Sequence, residues 1–188
     1  DRCDLAKRGH YVDKEGASEE KKCERGTYTS DEGQSSCLDA KPGFFVEVAG
    51  ASKPEECPPG KTSDPAASVC ESCPAGSFAA SSGAASCDLA QAGFYVPEND
   101  SRAAVGSLAT KAARTAAVPC PKGRYSPGPG ANECLECAAG TYADQEGSPS
   151  CTPAEPGWFV EGEGGSEPKK CERGTYTNAE GQSSCRDA

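Results

Sequence analysis

Cysteine is the residue whose number and spacing in this chain point most directly to chemistry. The 188-residue sequence contains 13 cysteines. Six of the gaps between successive cysteines are 13 or 14 positions long, and the others are 3, 20 or 33. Thiols at fixed spacing can close disulfides, bind zinc or exchange disulfides. A recurring loop length favours disulfides, because a covalent ring imposes a constant length on the chain that it closes.

Two Cys-x-x-Cys units are the places where metal or redox chemistry would be expected. They run from Cys70 to Cys73 and from Cys134 to Cys137. A zinc site would require a second pair roughly 15–20 residues away, whereas these two pairs lie about 60 positions apart. A redox centre would require alternating strands and helices, which the sequence does not predict. We therefore interpret both units as junctions between disulfide loops and predict no metal site and no cofactor.

Local loop closure is the connectivity that the spacing favours. The predicted pairs are Cys23–Cys37, Cys57–Cys70, Cys73–Cys87, Cys120–Cys134, Cys137–Cys151 and Cys171–Cys185. Cys3 stays unpaired within this sequence, and we expect its partner to lie upstream of residue 1. A closed loop of this size contributes about 3 kcal/mol to stability in the chain-entropy description.

Two other connectivities stay open at this point. One bridges positions 3–23, 37–57, 87–120 and 151–171, closes both Cys-x-x-Cys units and leaves Cys185 unpaired. It is less favoured, because its rings are unequal in length and its two tight pairs are of a kind that is commonly redox-labile. The other crosses the pairs within a tandem block, joining 57 to 73 and 70 to 87.

The cysteine loops share a local sequence that predicts a small hairpin. A glycine follows three residues after the opening cysteine, and an aromatic residue usually stands two positions later. These aromatic residues are Tyr28, Phe78, Tyr125, Tyr142 and Tyr176. The glycine permits a sharp backbone change, the ring can cover the disulfide, and a later glycine suits a turn with positive φ. The loop that opens at Cys57 has Thr62 in place of the ring, and we expect it to be the least well ordered.

The segments between the loops read as spacers with a pattern of their own. Each carries glycine, two aromatic or large residues and valine: Gly9-His10-Tyr11-Val12, Gly43-Phe44-Phe45-Val46, Gly93-Phe94-Tyr95-Val96 and Gly157-Trp158-Phe159-Val160. Adjacent aromatic residues beside a β-branched residue predict a short strand with one side chain on each face. We expect one ring to lie on the neighbouring disulfide and the other on the next loop, as the only core of each unit.

The domain organisation follows from these loops and spacers. It comprises a partial repeat with spacer (1–22), a disulfide loop (23–37), a spacer (38–56), tandem loops (57–87), a long spacer with an insertion (88–119), tandem loops (120–151), a spacer (152–170), and a final loop with the start of another spacer (171–188). The predicted fold class is small and disulfide-rich, an elongated tandem array of short β-hairpin modules with little regular secondary structure. The absence of methionine and the 22 glycines and 15 prolines fit that class.

Composition also excludes several functions. The net charge of −10 argues against a nucleic-acid partner, and no apolar run approaches the ~20 residues that span a bilayer. The one histidine, His10, occupies an aromatic position, and no nucleophile elbow or phosphate loop is present, so we predict no catalytic residues and no enzyme activity. Dense disulfides predict a secreted, extracellular chain. Asn99-Asp100-Ser101 is a candidate N-glycosylation site in the long spacer, whose extra residues we expect to form a surface excursion.

The motif Cys-x-x-Gly-Thr-Tyr-x-x-x-x-Gly-Gln-x-Ser-Cys, present at 23–37 and 171–185, resembles the ephrin-receptor-like cysteine-rich repeat. Its opening is also similar to the single-disulfide module of tumour-necrosis-factor-receptor ectodomains. The resemblance implies an array of small disulfide-bonded units that serves as a stalk or an interaction surface. In microbial eukaryotes, such repeats resemble parts of extracellular appendage proteins such as the mastigonemes of flagella.

The leading functional expectation is a structural segment of a long secreted cysteine-rich rod, which forms or decorates an extracellular filament, appendage or stalk. Its expected partners are other copies of itself or other filament and matrix proteins, and it could carry an N-glycan at Asn99. The alternative is a ligand-binding or adhesion ectodomain of a cell-surface receptor. A third class is a secreted hydrolase whose catalytic domain lies elsewhere.

Overall fold

A computed structural model describes residues 4–98 and 114–187. Within these ranges every β-strand is two residues long, and there is no helix. The strands are β1 (His10–Tyr11), β2 (Lys21–Lys22), β3 (Thr27–Tyr28), β4 (Leu38–Asp39), β5 (Phe44–Phe45), β6 (Glu55–Glu56), β7 (Lys61–Thr62), β8 (Glu71–Ser72), β9 (Ser77–Phe78), β10 (Asp88–Leu89), β11 (Phe94–Tyr95), β12 (Val118–Pro119), β13 (Arg124–Tyr125), β14 (Leu135–Glu136), β15 (Thr141–Tyr142), β16 (Thr152–Pro153), β17 (Trp158–Phe159), β18 (Lys169–Lys170), β19 (Thr175–Tyr176) and β20 (Arg186–Asp187).

Each odd-numbered strand pairs with the strand that follows it, so the described residues form two-stranded sheets in chain order. In the sheet of β3 and β4, Thr27 lies opposite Asp39 and Tyr28 lies opposite Leu38, and the strands are antiparallel. These hairpins, with six disulfides, confirm the predicted class of small, disulfide-rich, tandem hairpin modules.

The loops and the spacers of the sequence prove to be the same structural repeat. A glycine with positive φ, here called the leading glycine, directly precedes the first strand of every hairpin. The leading glycines are Gly9, Gly26, Gly43, Gly60, Gly76, Gly93, Gly123, Gly140, Gly157 and Gly174. They recur every 17 positions, except for a step of 16 before Gly76 and of 30 before Gly123. The short strands predicted in the spacers are confirmed, but each spacer is a complete hairpin.

In the hairpins whose turns the structure describes, the turn contains a second residue with positive φ, the turn glycine. In the hairpin of β3 and β4 this residue is Gly33, with φ of 73°, seven positions after Gly26, with φ of 84°. The prediction of positive φ at the later glycine is therefore confirmed. In the hairpin of β7 and β8, which is one residue shorter, Ala66 takes this place with φ of 58°.

Neighbouring hairpins are joined by backbone hydrogen bonds of a fixed pattern. The amide of Gly26 donates to the carbonyl of Val46 at 2.9 Å, and the amide of Ala40 donates to the carbonyl of Gly26 at 2.9 Å. The amide of the turn glycine Gly50 donates to the carbonyl of Cys23 at 2.8 Å. Each of these bonds connects one hairpin to the next, so stacking satisfies the backbone groups that a two-residue strand leaves unpaired.

The described chain divides into two compact units, and the same pattern occurs in both. One unit comprises residues 1–73, 79–88 and 112–115, and the other comprises 74–78, 89–111 and 116–188. In the second unit, Gly140 donates to Val160 at 2.9 Å and Gly164 donates to Cys137 at 2.7 Å. These bonds are the counterparts of Gly26 to Val46 and of Gly50 to Cys23 in the first unit.

The core of the hairpins is built from small residues. Two positions in the repeat are buried: the opening position, three residues before the leading glycine, and the position directly after the first strand. The first is occupied by Ala6, Cys23, Ala40, Cys57, Cys73, Ala90, Cys120, Cys137 and Ala154, and the second by Thr29, Val46, Ser63, Ala79, Val96, Ser126, Ala143, Val160 and Thr177. The prediction that paired aromatic rings are the only core is wrong, because backbone-to-backbone stacking leaves room only for small side chains.

Seven of the leading glycines lie against the second hairpin further along the chain: Gly9, Gly26, Gly43, Gly76, Gly93, Gly123 and Gly140. A Cβ atom at Gly26 would overlap the carbonyl oxygen of Ala66, and one at Gly140 would overlap the carbonyl oxygen of Gly181. In each of these pairs one hairpin lies between the two residues along the chain. A hairpin therefore contacts its second neighbour as well as its first. Glycine is required there for space as well as for its φ angle.

Replacement of two leading glycines should separate the effect of space from that of φ. Gly140 and Gly157 have φ of 87° and 85°, but a Cβ at Gly157 would meet nothing within 4 Å. Gly157→Ala should destabilise its hairpin by about 1–2 kcal/mol through left-handed strain alone. Gly140→Ala should cause the same strain and a further loss of ~1–3 kcal/mol in stability, because its Cβ would overlap the carbonyl oxygen of Gly181. Hydrogen-exchange protection of the Gly164 and Gly181 amides measures both effects, and equal losses in the two variants would contradict the close approach.

Ala66→Gly should stabilise the hairpin of β7 and β8. Relief of left-handed strain is worth about 1–2 kcal/mol, and the added backbone entropy of glycine costs about 0.5–1 kcal/mol, so the net gain is up to ~1 kcal/mol. Ala67→Gly is the matched control, because Ala67 has no positive φ and should lose stability. Hydrogen exchange of the Ala66 amide, which donates to Ala40 at 2.8 Å, reports the change.

Candidate functional site

The disulfides lie at the stems of the hairpins. The pairs are Cys23–Cys37, Cys57–Cys70, Cys73–Cys87, Cys120–Cys134, Cys137–Cys151 and Cys171–Cys185, with Cα–Cα distances of 5.7–5.8 Å. These are the pairs of local loop closure. In the first hairpin with a disulfide, Cys23 is fully buried and Cys37 is half-buried directly before β4. Cys3 lies outside the described residues.

Hairpins without a disulfide place alanine at the opening position. Ala40, Ala90 and Ala154 are fully buried there, and Ala6 is 6% exposed. The position of the closing cysteine is occupied in the same hairpins by Glu20, Pro54, Ala117 and Pro168, all half-buried. A methyl group therefore fills the site that the buried sulfur fills elsewhere. The signal for this equivalence was present in the sequence as an alanine three residues before each spacer glycine.

The same hairpins carry an additional large ring at the first residue of their first strand. The residues are His10, Phe44, Phe94 and Trp158, whereas the hairpins with a disulfide have Thr27, Lys61, Ser77, Arg124, Thr141 and Thr175 there. A Cβ added at Gly83 would lie 3.6 Å from Cζ of Phe44, and one at Gly147 would lie 3.7 Å from Phe94. The ring thus covers the turn of the second hairpin along, and apolar contact takes the place of the disulfide.

The second aromatic residue of the strand points toward the next hairpin. Tyr95 is 8% exposed and packs with the Cys120–Cys134 disulfide. The expectation that one ring of each pair lies on the neighbouring disulfide is therefore confirmed at Tyr95. The rings of Tyr28, Phe45, Phe78, Tyr125, Tyr142 and Phe159 are half-buried, and that of Tyr176 is 45% exposed.

Two shallow grooves have the same construction at different junctions. One has a volume of about 290 Å³ and is lined by Tyr95, Arg124 and Cys134 among others. The other, of about 360 Å³, is lined by Phe159, Thr175 and Cys185 among others. Each is bounded by the second ring of one hairpin and the closing cysteine of the next. They are features of the repeat, and no nucleophile, base and orienting group converge on either.

Charged groups near the amino terminus form exposed ion pairs. Lys21 donates to Asp13 at 2.8 Å, which lowers the pKa of Asp13 and raises that of Lys21. The backbone amide of Lys7 donates to Glu20 at 2.8 Å and lowers the pKa of that carboxyl. Exposed pairs of this kind contribute little to stability, because water competes for both charges. The ring of His10 stands in the first-strand position that Phe44, Phe94 and Trp158 occupy.

The described residues contain neither a metal-binding cluster nor a membrane-spanning helix. Across 4–98 and 114–187, no three His, Cys, Asp or Glu side chains come together in a way that could hold a metal ion. Nor does this part of the chain contain a helix with the length and apolar character that crossing a membrane requires.

Arg114 marks the end of the long insertion. Its guanidinium donates to the carbonyl of Cys73, and its own carbonyl accepts from the amide of Ala79 at 2.9 Å. At other junctions a carbonyl in the position of Cys73 accepts from the amide of a turn glycine. The predicted surface excursion around 99–112 and the candidate glycosylation site Asn99 lie outside the described residues.

The geometry defines a class: tandem, disulfide-rich hairpin modules stacked through their backbones. Residues 9–57, from the first leading glycine to Cys57, match the family model described as tyrosine-protein kinase ephrin type A/B receptor-like. No curated protein matches the chain. The family match and the repeated disulfide-bonded hairpins fit tandem ephrin-receptor-like cysteine-rich repeats, as the motif resemblance predicted. They support an extracellular domain.

The equivalence of ring and disulfide can be tested in the hairpin of β15 and β16. Removing the disulfide with Cys137→Ala and Cys151→Ala should lower local stability by about 3 kcal/mol while the hairpin still forms. Adding Thr141→Phe should restore about 1–2 kcal/mol, because Thr141 faces Pro153 as Phe94 faces Pro119. Hydrogen exchange of the Ala154 amide, which donates to Gly140 at 2.9 Å, measures each step.

Thr175→Phe in the otherwise unchanged chain is the matched control. A Cβ atom at Gly174, the residue before Thr175, would meet nothing within 4 Å, so a ring at Thr175 has no described turn to cover and local stability should stay the same. Failure of Thr141→Phe to restore protection would show that the ring does not replace the disulfide.

Proposed function

We propose that this chain is a structural segment of a long secreted cysteine-rich rod, which forms or decorates an extracellular filament, appendage or stalk. The observation that carries the proposal is the recurrence of one set of hydrogen bonds between neighbouring hairpins. Gly26 donates to Val46 and Gly140 donates to Val160, in different units and both at 2.9 Å. A hydrogen bond that recurs at successive junctions suits a protein whose role depends on its length.

Stacked repeats suit a structural role because their energetics are additive. The contacts described above join a hairpin to its first and second neighbours, so adding hairpins lengthens the array without a new core. The buried positions hold alanine, cysteine, valine, serine and threonine, which are small enough to recur at every junction. The grooves at the junctions are shallow, and their lining residues provide no catalytic arrangement. Repeats of this kind are typically non-enzymatic extracellular modules, and we include the absence of enzyme activity in the proposal.

The second strands of the hairpins supply a surface for self-association. All of them are exposed, and they differ in charge: β6 is Glu55–Glu56, whereas β18 is Lys169–Lys170. Strands of opposite charge on two copies would attract each other, and the attraction would fix which segments meet. The partners that we propose are therefore other copies of this chain, together with filament or matrix proteins, and a glycan at Asn99 belongs to the same proposal.

Assembly of the full chain with its disulfides intact is the decisive measurement. Electron microscopy and sedimentation over a range of concentrations should show oligomers or filaments that dissociate as ionic strength rises, because exposed charges are screened. Dispersed monomers at every concentration, together with saturable binding to one protein ligand, would instead identify a receptor or adhesion ectodomain.

A charge-reversal variant tests the surface of β18. Lys169→Glu with Lys170→Glu should weaken self-association by about two- to fivefold for each ion pair lost, since such pairs are worth up to ~1 kcal/mol. Lys41→Glu with Lys53→Glu changes the net charge equally at exposed positions outside the second strands. Equal weakening in both variants would mean that net charge alone acts, and the β18 surface would be rejected.

A further inference from the structure

Hairpins with and without a disulfide share one fold but differ in how much chain a covalent bond protects. In five of the hairpins the disulfide joins residues 14 positions apart, and in the hairpin of β7 and β8 the separation is 13. The hairpin of β5 and β6 has Ala40 and Pro54 at the two corresponding positions, so only noncovalent contacts close it. The hairpins of β1 and β2 and of β17 and β18 are of the same kind.

The two kinds of hairpin respond differently when the chain is pulled at its ends. In a hairpin with a disulfide, tension passes from the opening cysteine to the closing cysteine through the sulfur atoms. The strands and the turn between the two cysteines then carry no load. In a hairpin without one, the load passes through every residue of the turn and both strands. It acts on bonds such as those from Cys57 to Gly43 and from Ala66 to Ala40, both 2.8 Å.

We propose that the disulfide-free hairpins are extension elements, which open under tension and lengthen the chain while the hairpins with disulfides keep theirs closed. The alternation of the two kinds then limits the extension, because each opened hairpin is flanked along the chain by closed ones. The proposal rests on the proposed function in one respect: a rod or stalk is under tension in use. The mechanical property itself belongs to the isolated chain.

The length released by each opening follows from the chain. The positions that correspond to the two cysteines are 14 residues apart in sequence, as in Cys23–Cys37, and an extended residue spans about 3.3–3.6 Å. The Cα atoms of Cys23 and Cys37 lie 5.8 Å apart in the folded hairpin, so a disulfide-free hairpin of the same length releases roughly 40–45 Å. The hairpin of β11 and β12 releases a longer step, because its connecting chain is longer by the 13 residues that separate a step of 30 from one of 17.

Single-molecule pulling of the intact, oxidised chain measures these steps. We expect three steps of roughly 40–45 Å and one longer step, and addition of a reductant such as dithiothreitol should add six more steps of similar size. Steps from the disulfide-bonded hairpins without reductant would overturn the proposal. So would a single rupture that releases all of the noncovalent length at once, because the hairpins would then not open individually.

A variant that adds a disulfide isolates one extension element. Ala40→Cys with Pro54→Cys places thiols at the positions that correspond to Cys23 and Cys37, and each residue matches its counterpart in burial. Once mass spectrometry shows the new disulfide, one step should disappear and return with reductant. Ala40→Ser with Pro54→Ser is the control and should keep the step. Ala154→Cys with Pro168→Cys repeats the test in the other unit.

If the step persists in the oxidised Ala40→Cys, Pro54→Cys variant, the proposal is overturned. The step would then not come from the opening of that hairpin under tension. These outcomes are independent of whether the chain assembles. If the added disulfide removes a step but the chain forms no filaments, the extension elements are supported and the structural role is rejected. If the chain forms filaments but shows no separate steps, the structural role is supported and the extension elements are rejected.

Discussion

The rest of the structure depends on two contacts of the leading glycine, one with the next hairpin and one with the second hairpin along. Its amide donates to the next hairpin, as from Gly26 to Val46, and its Cα lies against a carbonyl of the second hairpin along, as at Ala66. Positive φ and the missing Cβ are both needed for this arrangement. An isolated hairpin with strands of two residues is only marginally stable in water. Stacking against neighbouring hairpins supplies the stability that strand pairing within one hairpin does not.

Covalent and noncovalent closure are alternatives at one place in the repeat. Where a disulfide joins the stem, the first strand begins with a small, polar or basic residue; where alanine replaces the buried cysteine, the strand begins with His10, Phe44, Phe94 or Trp158. The rings of His10, Phe44 and Phe94 lie over the turn of the second hairpin along, so their stabilisation depends on that neighbour. A disulfide acts within its own hairpin. The array therefore combines local stability with stability that is shared between hairpins.

The spacing of the cysteines was enough to predict hairpins, the fold class and the family resemblance, because a disulfide fixes loop length directly. The 17-residue period was not predicted, because cysteine is absent from four of its copies. In those copies the equivalent residue is alanine, as three residues before Gly43 or Gly157, and alanine is a much weaker signal than the aromatic pair that follows. The small-residue core was missed for a related reason. Large rings suggest burial, but at Tyr176 and its counterparts the backbone takes the central space. Contact with the second neighbour depends on how hairpins rotate during stacking, which residue types do not encode.

Because the contacts between hairpins recur with the 17-residue period, the number of repeats in the gene can change without loss of the fold. Duplication or loss of a 17-residue segment restores each amide, carbonyl and turn to a neighbour of the same type, so the product folds without compensating substitutions. The step of 30 before Gly123 shows that additional residues can lie between β11 and β12 in the sequence while the two strands still pair. Recombination between near-identical copies, such as 23–37 and 171–185, can therefore alter the number of hairpins freely. Natural variation in this protein should appear as changes in repeat number more often than as changes in its core.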